Sequence, residues 1–426
     1  MENNNENLKN SNSENSSFFE QKVSSSNGNE DFIPKLRFKE FCKNWSCNNM
    51  GSFGTFTKGA PLSKADISET GFPFILYGEL YTTYKEVTYH VYRQTDANAP
   101  KECFSNIGDV IIPTSGETPE EIATATCVMV PNVILGGDLN IYRNNAVDGR
   151  IISYIINHKI NKCIAKVAQG KSVVHIKADD LSKMNIIYPE KDEQAKIINF
   201  LWLIDKRIEK QRQLVESLKK YKRGLLSAIF ERKIRFKDDN GNDYPEWNKI
   251  PLGSIFVERV EKVTGNEELL SVTINEGIKK RNTIDIKDNS SENKSHYKKV
   301  YKDDIAYNTM RMWQGASGVS KYNGMVSPAY TVISPKIDVN IDFWSYYLKY
   351  YKIIHLFQKF SQGLTSDTWN LKFPQFAEIK VLVPSKVEQE KLAEILLTFD
   401  NNINIYQNYL DKLEQLKKSL LQQMFI

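Results

Sequence analysis

Residues 194–230, QAKIINFLWLIDKRIEKQRQLVESLKKYKRGLLSAIF, return 195 positions later as QEKLAEILLTFDNNINIYQNYLDKLEQLKKSLLQQMF, without a gap. At that shift Pro189/Pro384, Glu193/Glu388, Gln194/Gln389, Asp205/Asp400, Leu225/Leu420 and Phe230/Phe425 coincide. Upstream the correspondence is looser. Gln169-Gly170 answers to Gln362-Gly363, and Trp45 ahead of Gly51-Ser52 answers to Trp247 ahead of Gly253-Ser254. An Arg-Phe-Lys triplet precedes each Trp, at 37–39 and 235–237. A 426-residue chain written this way predicts a globular unit, a long helix, a second globular unit and a second long helix.

The helices are signalled by spacing. Ile197, Leu201, Ile204, Ile208, Gln211, Val215, Leu218, Lys222 and Leu225 step by alternate fours and threes. So do Leu392, Leu396, Phe399, Ile403, Tyr406, Leu410, Leu413, Lys417 and Leu420. An apolar period of 3.5 held over about five heptads is a coiled-coil seam, and a seam needs a partner. The other copy is the obvious one, which makes these apolar positions the expected helix-pair interface. The alternative is that each helix packs on its own globular unit. Both helices open after a Pro and then acidic residues, suited to the positive end of the helix dipole.

The intervening segments carry short apolar runs such as VIIP (110–113), LNIYR (139–143) and YTVISP (330–335), bounded by Gly, Pro, Asn and Asp. These read as strands and turns, interrupted by amphipathic helices at roughly 149–168 and 341–360. Each unit is therefore expected to be α+β. The predicted organisation is a disordered tail 1–33, a first globular unit 34–188, a central helix 189–233, a second globular unit 234–384 and a closing helix 385–426. The tail is expected to be disordered because its first 30 residues hold 16 Asn or Ser and almost nothing apolar.

Composition excludes several classes. No run approaches 18 apolar residues, so no membrane span is expected, and the N-terminus lacks the basic and apolar regions of a secretory signal. Five cysteines, all before residue 170 and none in a C-x-x-C pair, suggest reduced thiols and a cytoplasmic protein. Five scattered histidines make zinc improbable. The net charge of +5 comes from the segments between 34 and 385, compatible with a polyanionic partner.

Catalytic motifs are missing: no phosphate-binding loop, no dinucleotide fingerprint, no H-E-x-x-H and no G-x-S-x-G. The sharpest candidate is Asp367 with Glu378 and Lys380, the latter pair alternating along a strand AEIKVLVP. Such a set could hold Mg²⁺ and activate water for phosphodiester cleavage. The repeat weighs against it, since Lys183 and Asn185 stand where Glu378 and Lys380 should be in the first copy.

Binding features are richer. NTMRMWQGASGVSKY brings Arg311, Trp313, Gln314 and Lys321 into one glycine-containing segment. Arg and Gln are the side chains with a bidentate fit to guanine and adenine edges. Lys279, Lys280 and Arg281 suit phosphates, and in the first unit Lys58, Lys64, Lys171, His175 and Lys177 play comparable parts. No metal site is predicted.

YPEWNKIPLGSIF (244–256), QGASGVSKYNGMVSPAYTVISP (314–335), the Gln-Gly elements, IDFWSYYL (341–348) and the Pro-x3–4-Glu-Gln helix openings together resemble one known family. It is the specificity (S) subunit of type I restriction-modification enzymes, and the resemblance runs from Pro34 to Phe425. The first unit departs from the pattern at TSGETPEEIA (114–123), where a basic stretch is more common. The resemblance implies two α/β target recognition domains separated by two antiparallel coiled-coil helices with pseudo-two-fold symmetry. Each domain would read one half of a bipartite site in double-stranded DNA. The implied partners are two modification (M) subunits carrying S-adenosylmethionine for adenine methylation, and restriction (R) subunits using ATP and Mg²⁺ for cleavage. No catalytic residue and no cofactor is then expected in this chain. A stand-alone Mg²⁺-dependent nuclease and a coiled-coil protein scaffold are the competing readings.

Overall fold

The computed structural model describes residues 32–170, 173–265, 267–274, 277–284 and 293–426, together with the backbone of 19–20. The predicted tail therefore lies almost wholly outside the described residues. Phe19–Glu20 pairs antiparallel with Arg37–Phe38. The chain divides into two units, Met1–Gln211 with Tyr409–Ile426, and Arg212–Asn408. The fold is α+β, with a 40-residue central helix (Lys191–Phe230) and a 39-residue terminal helix (Lys386–Met424).

In the first unit a five-stranded sheet runs in the order Gly54–Lys58, Leu139–Asn144, Asp109–Pro113, Thr126–Val128, Val87–Thr88. Every pairing is antiparallel except the last. Alternation explains why VIIP reads as one unbroken apolar run. Val110 and Ile112 enter the main core, and Ile111 enters a second cluster with Leu139 and Ile141. A strand covered on both faces needs no polar side. The second unit has a four-stranded antiparallel sheet, Phe256–Glu258, Tyr330–Pro335, Ile305–Asn308, Ser317–Val319. Ile305 and Tyr307 face the main core, and Ala306 faces the other side.

A two-stranded ladder closes each unit next to a long helix: Ser46–Asn49 with Asn185–Tyr188, and Asn248–Pro251 with Lys380–Val383. The repeated residues make the joint. In the first unit Glu193, fully buried, accepts from Arg37 at 2.8 and 2.7 Å and from the Trp45 indole at 3.2 Å. Gln194 donates to the Pro189 carbonyl at 2.8 Å and accepts from the Asp148 N–H at 2.8 Å. In the second unit Gln389 donates to the Pro384 carbonyl at 3.1 Å and accepts from the Asn340 N–H at 3.2 Å. Asp148 and Asn340 each cap the helix that follows.

Those capped helices are not continuous. Residues 149–168 form Gly149–Ile155, a π-helical turn Ile156–Ile160 and Asn161–Val167. The second stretch is Ile341–Tyr347 and Tyr351–Phe360, broken at Leu348–Tyr350. The π turn is held by Asn157, which donates to the Ala125 and Ser153 carbonyls at 2.7 and 2.8 Å.

Each unit takes a piece of both long helices. Ile197, Leu201, Leu420 and Phe425 lie in the first core, while Phe230, Leu392 and Leu396 lie in the second. Phe425 meets Trp45 and Tyr154 at 6.2 and 6.0 Å, and Phe230 meets Phe343 and Tyr347 at 5.9 and 4.9 Å. Burying such a ring contributes about 1.5–3 kcal/mol. Ile208 packs on Leu410 and Leu413, with Ile204 beside them, in a purely helical cluster of the first unit. Within the second unit Lys219 bonds Gln407 at 3.4 Å and Tyr221 packs on Phe399 at 5.5 Å. Both sets of contacts run antiparallel. Val215 and Ile403 are buried, Leu218 half-buried, and the seam position Tyr406 is exposed.

Candidate nucleic-acid interface

In the first unit three segments converge at one end of the sheet. Lys58 closes its strand opposite Asn140. The Thr114 N–H donates to the Asp138 carbonyl at 2.7 Å, and the Ile176 N–H donates to the Thr114 carbonyl at 3.1 Å. His175 is paired with Ser115. Together they line a cleft of about 820 Å³ whose walls include Lys58, Ser63, Asp138, Asn140, His175 and Lys177. Lys64 opens the neighbouring turn Lys64–Asp66, which Ser63 caps. Lys58, Lys64, His175 and Lys177 are all exposed, and the structure brings three of the four to this one cleft. Lys171 lies outside the described residues.

The same skeleton recurs in the second unit. The Thr309 N–H donates to the Ala329 carbonyl at 3.4 Å, and the Leu371 N–H donates to the Thr309 carbonyl at 2.9 Å. Here the strand end continues into a 3-10 turn, Met312–Gln314, closed by Gly315 at φ +83°. A side chain at Gly315 would be strained in that conformation and would press on Ile354 at 3.1 Å. Arg311 is exposed and donates to Gln314 Oε1 at 3.3 Å. Trp313 is half-buried: its indole N–H donates to the Met310 carbonyl at 3.0 Å, and its ring meets Trp369 edge-on at 5.2 Å. Trp313 thus braces the turn that presents Arg311 and Gln314.

Lys279, Lys280 and Arg281 lie on and after the hairpin Leu270–Thr273/Gly277–Lys280. That hairpin approaches the strand Ser317–Val319 backbone to backbone, since a Cβ on Gly318 would stand 2.7 Å from Gly277 Cα. Lys280 pairs with Glu268 at 3.1 Å and covers the Tyr322 ring, and Arg281 reaches Ser271 at 3.4 Å. Lys321 is exposed in the turn after Ser317–Val319.

The nuclease constellation does not assemble. Glu378 ends a helix, Phe373–Glu378, instead of alternating with Lys380 on a strand. Phe376 of that helix is buried against Phe256, Tyr307 and Phe357, so core packing overrides the strand-like pattern. Among the described residues no group of three metal-ligating side chains could hold an ion.

A cluster that sequence reasoning missed ties each unit to both helices. Tyr154 Oη donates to Asp205 at 3.0 Å, and Lys417 pairs with the same carboxylate at 2.7 Å while lying over the Tyr154 ring. Tyr346 Oη donates to Asp400 at 2.5 Å, and Lys222 pairs with Asp400 at 2.5 Å while lying over the Tyr346 ring. Lys222 and Lys417 occupy apolar seam positions, and that incongruity was the available signal. In the first unit Glu86 adds a second carboxylate, 3.2 Å from Lys417 and 2.7 Å from His158. Burial pushes the Glu86 carboxyl up, but the His158 hydrogen bond and the Lys417 charge outweigh it and hold it down at about 2. Burial pushes Lys417 down, but Glu86 and Asp205 raise it above its usual range. Burial foremost, with the neighbouring aspartates, raises both tyrosines.

The family described as Type I restriction modification DNA specificity domain matches residues 42–220 and again 246–415. The fold is similar to the crystal structure of a type I restriction-modification S subunit from M. genitalium. That chain is 18% identical with a TM-score of 0.55, over 90% of this chain and 96% of that one. It is also similar to a chain solved in work on complex assembly and conformational transition of the type I R-M system. The identity there is 16% and the TM-score 0.53, over 89% and 97%. Among the described residues no helix is long and apolar enough to cross a membrane.

Proposed function

This chain belongs to the family of type I restriction modification DNA specificity domains, and from there we propose how its two units divide the work. The chain is the DNA sequence-specificity subunit of a type I system, the non-catalytic component that recognises DNA. Each recognition unit, 34–188 and 234–384, reads one half of a bipartite duplex site. The helices 189–233 and 385–426 space the units and dock two M subunits, which supply S-adenosylmethionine and methylate adenine at N6. R subunits bring ATP and Mg²⁺, and the whole acts in the cytoplasm. In the first unit Lys58, Lys64, Lys171, His175 and Lys177 face the DNA. In the second Arg311 and Gln314 read base edges, Trp313 braces them, and Lys279, Lys280, Arg281 and Lys321 approach phosphates.

One observation supports this division above the others: an equivalent strand end carries Thr114-Ser115 beside His175 in one unit and Thr309 leading to Arg311-Trp313-Gln314 in the other. A shared frame with different hydrogen-bonding groups suits two different half-sites. Co-expression with the M subunit and genome-wide mapping of methylated adenines tests it. The expected result is one bipartite motif with two unlike halves. A single contiguous motif, or none, would contradict it.

A further inference from the structure

Two loops, one in each unit, are closed in the same way. The Gln169 and His175 backbones exchange hydrogen bonds at 3.0 and 2.8 Å, and those of Gln362 and Asn370 do so at 3.0 and 2.8 Å. Each loop begins Gln-Gly, with Gly170 at φ +146° and Gly363 at φ +144°. A Cβ would lie 1.9 Å from the Val173 carbonyl oxygen in one and 2.6 Å from the Thr368 carbonyl oxygen in the other, so both turns require glycine. The residue after each closing pair bonds the equivalent threonine carbonyl, Thr114 or Thr309. The next residue is then a lysine, Lys177 or Lys372, and these two stand 195 positions apart, at the shift of the helix repeat. Both are exposed, and neither enters an ion pair among the described residues. Among the described residues thirteen other lysines, Lys196, Lys280, Lys352 and Lys417 among them, do enter one.

The contents of the two loops differ. Five residues separate Gln169 from His175 and seven separate Gln362 from Asn370, and their sequences are unrelated beyond Gln-Gly. A feature kept in both copies while the surrounding side chains diverge serves what the two half-sites have in common. Unlike half-sites share no bases, and they share the phosphate backbone. We propose that Lys177 and Lys372, each fixed by its closed Gln-Gly loop, are matched phosphate contacts that seat the two units on DNA independently of sequence. Lys372 is thereby a DNA contact that charge clustering alone does not reveal, because no other cation adjoins it in sequence.

The inference rests on the DNA-reading function proposed above, and the test separates the two. The full chain, assembled with its M subunit, is titrated against two labelled duplexes of equal length, one carrying the mapped motif and one scrambled, across a salt series. Lys372→Ala and Lys177→Ala should each weaken both duplexes by the same factor, roughly threefold. Each should also lower the slope of log affinity against log salt by about 0.9. The thermal midpoint and the methylated motif should stay unchanged, and Lys372→Arg should restore most of the slope. An unchanged slope in Lys372→Ala would overturn the proposal, as would a changed motif, which would make Lys372 a base reader. Equal binding of both duplexes by the parent protein would overturn the sequence-reading function and leave the phosphate contacts standing.

Discussion

Corresponding residues make the joint between globular unit and helix in both halves, yet the two joints are not equally satisfied. In the first unit Arg37 gives two hydrogen bonds to Glu193, and the Trp45 indole completes the set. In the second, Arg235 spends its donors on Glu246 and on the Tyr244 and Pro245 carbonyls, and reaches Glu388 only at 3.4 Å. Arg235 Nε and Trp247 Nε1 are left buried without a partner among the described residues. The Tyr154–Asp205–Lys417 and Tyr346–Asp400–Lys222 clusters differ in the same direction: among the described residues Lys417 pairs with two carboxylates and Lys222 with one. The repeat therefore governs which residues meet, and local surroundings govern how well. The same separation holds at the sheet ends, where a conserved hydrogen-bond frame carries different side chains.

The largest expected effect breaks the joints. Glu193→Ala strands a buried guanidinium and an indole, and should cost about 3–5 kcal/mol. Glu388→Ala removes a longer, less enclosed contact and should cost about 1–2 kcal/mol. Urea unfolding midpoints decide the order. Equal losses would mean that the difference between the joints has no energetic weight.

Acid should distinguish the two Tyr–Asp–Lys clusters. Glu86 titrates near 2 when folded, against an ordinary 4.5, so it favours the folded state. A depressed carboxyl contributes stability above its unfolded value and loses it as pH falls through the folded one. Glu86→Gln should therefore cost about 3 kcal/mol near neutrality. The gap to the parent should close between pH 4.5 and about 2. A gap independent of pH would show that Glu86 acts by packing alone. In the second unit Asp400 is the one carboxylate paired with Lys222 among the described residues, and Asp400→Asn there tests whether a single carboxylate suffices.

Effects on recognition should be smaller in energy and confined to one half. Arg311→Ala or Gln314→Ala should relax the base preference at one position by about 1–3 kcal/mol, read as a degenerate base in one half of the methylated motif. Degeneracy in both halves would contradict the separation of the units.

Much of this was legible in the sequence where the physics is local. The 3.5-residue spacing gave the long helices, and the 195-residue shift paired Glu193 with Glu388 and Asp205 with Asp400 before their roles were visible. The partners of those residues were hidden because they are distant. Tyr154 lies 51 residues from Asp205, and Glu86 lies 331 from Lys417, beyond any periodicity. The π turn that carries His158 has no sequence marker of its own, and the Phe373–Glu378 helix is set by tertiary packing of Phe376. Lys372 was within reach, since carrying the repeat forward from Lys177 lands on it.

Under the proposed function one frame, used twice, reads two different sequences through the side chains at its sheet ends. Replacing residues 234–384 with a second copy of 34–188 tests it most directly. Co-expressed with the M subunit, the graft should methylate a motif whose two halves are the same, both matching the half that the parent's first unit reads. A stable, assembled graft that still methylates the parent's motif with two unlike halves would contradict the account.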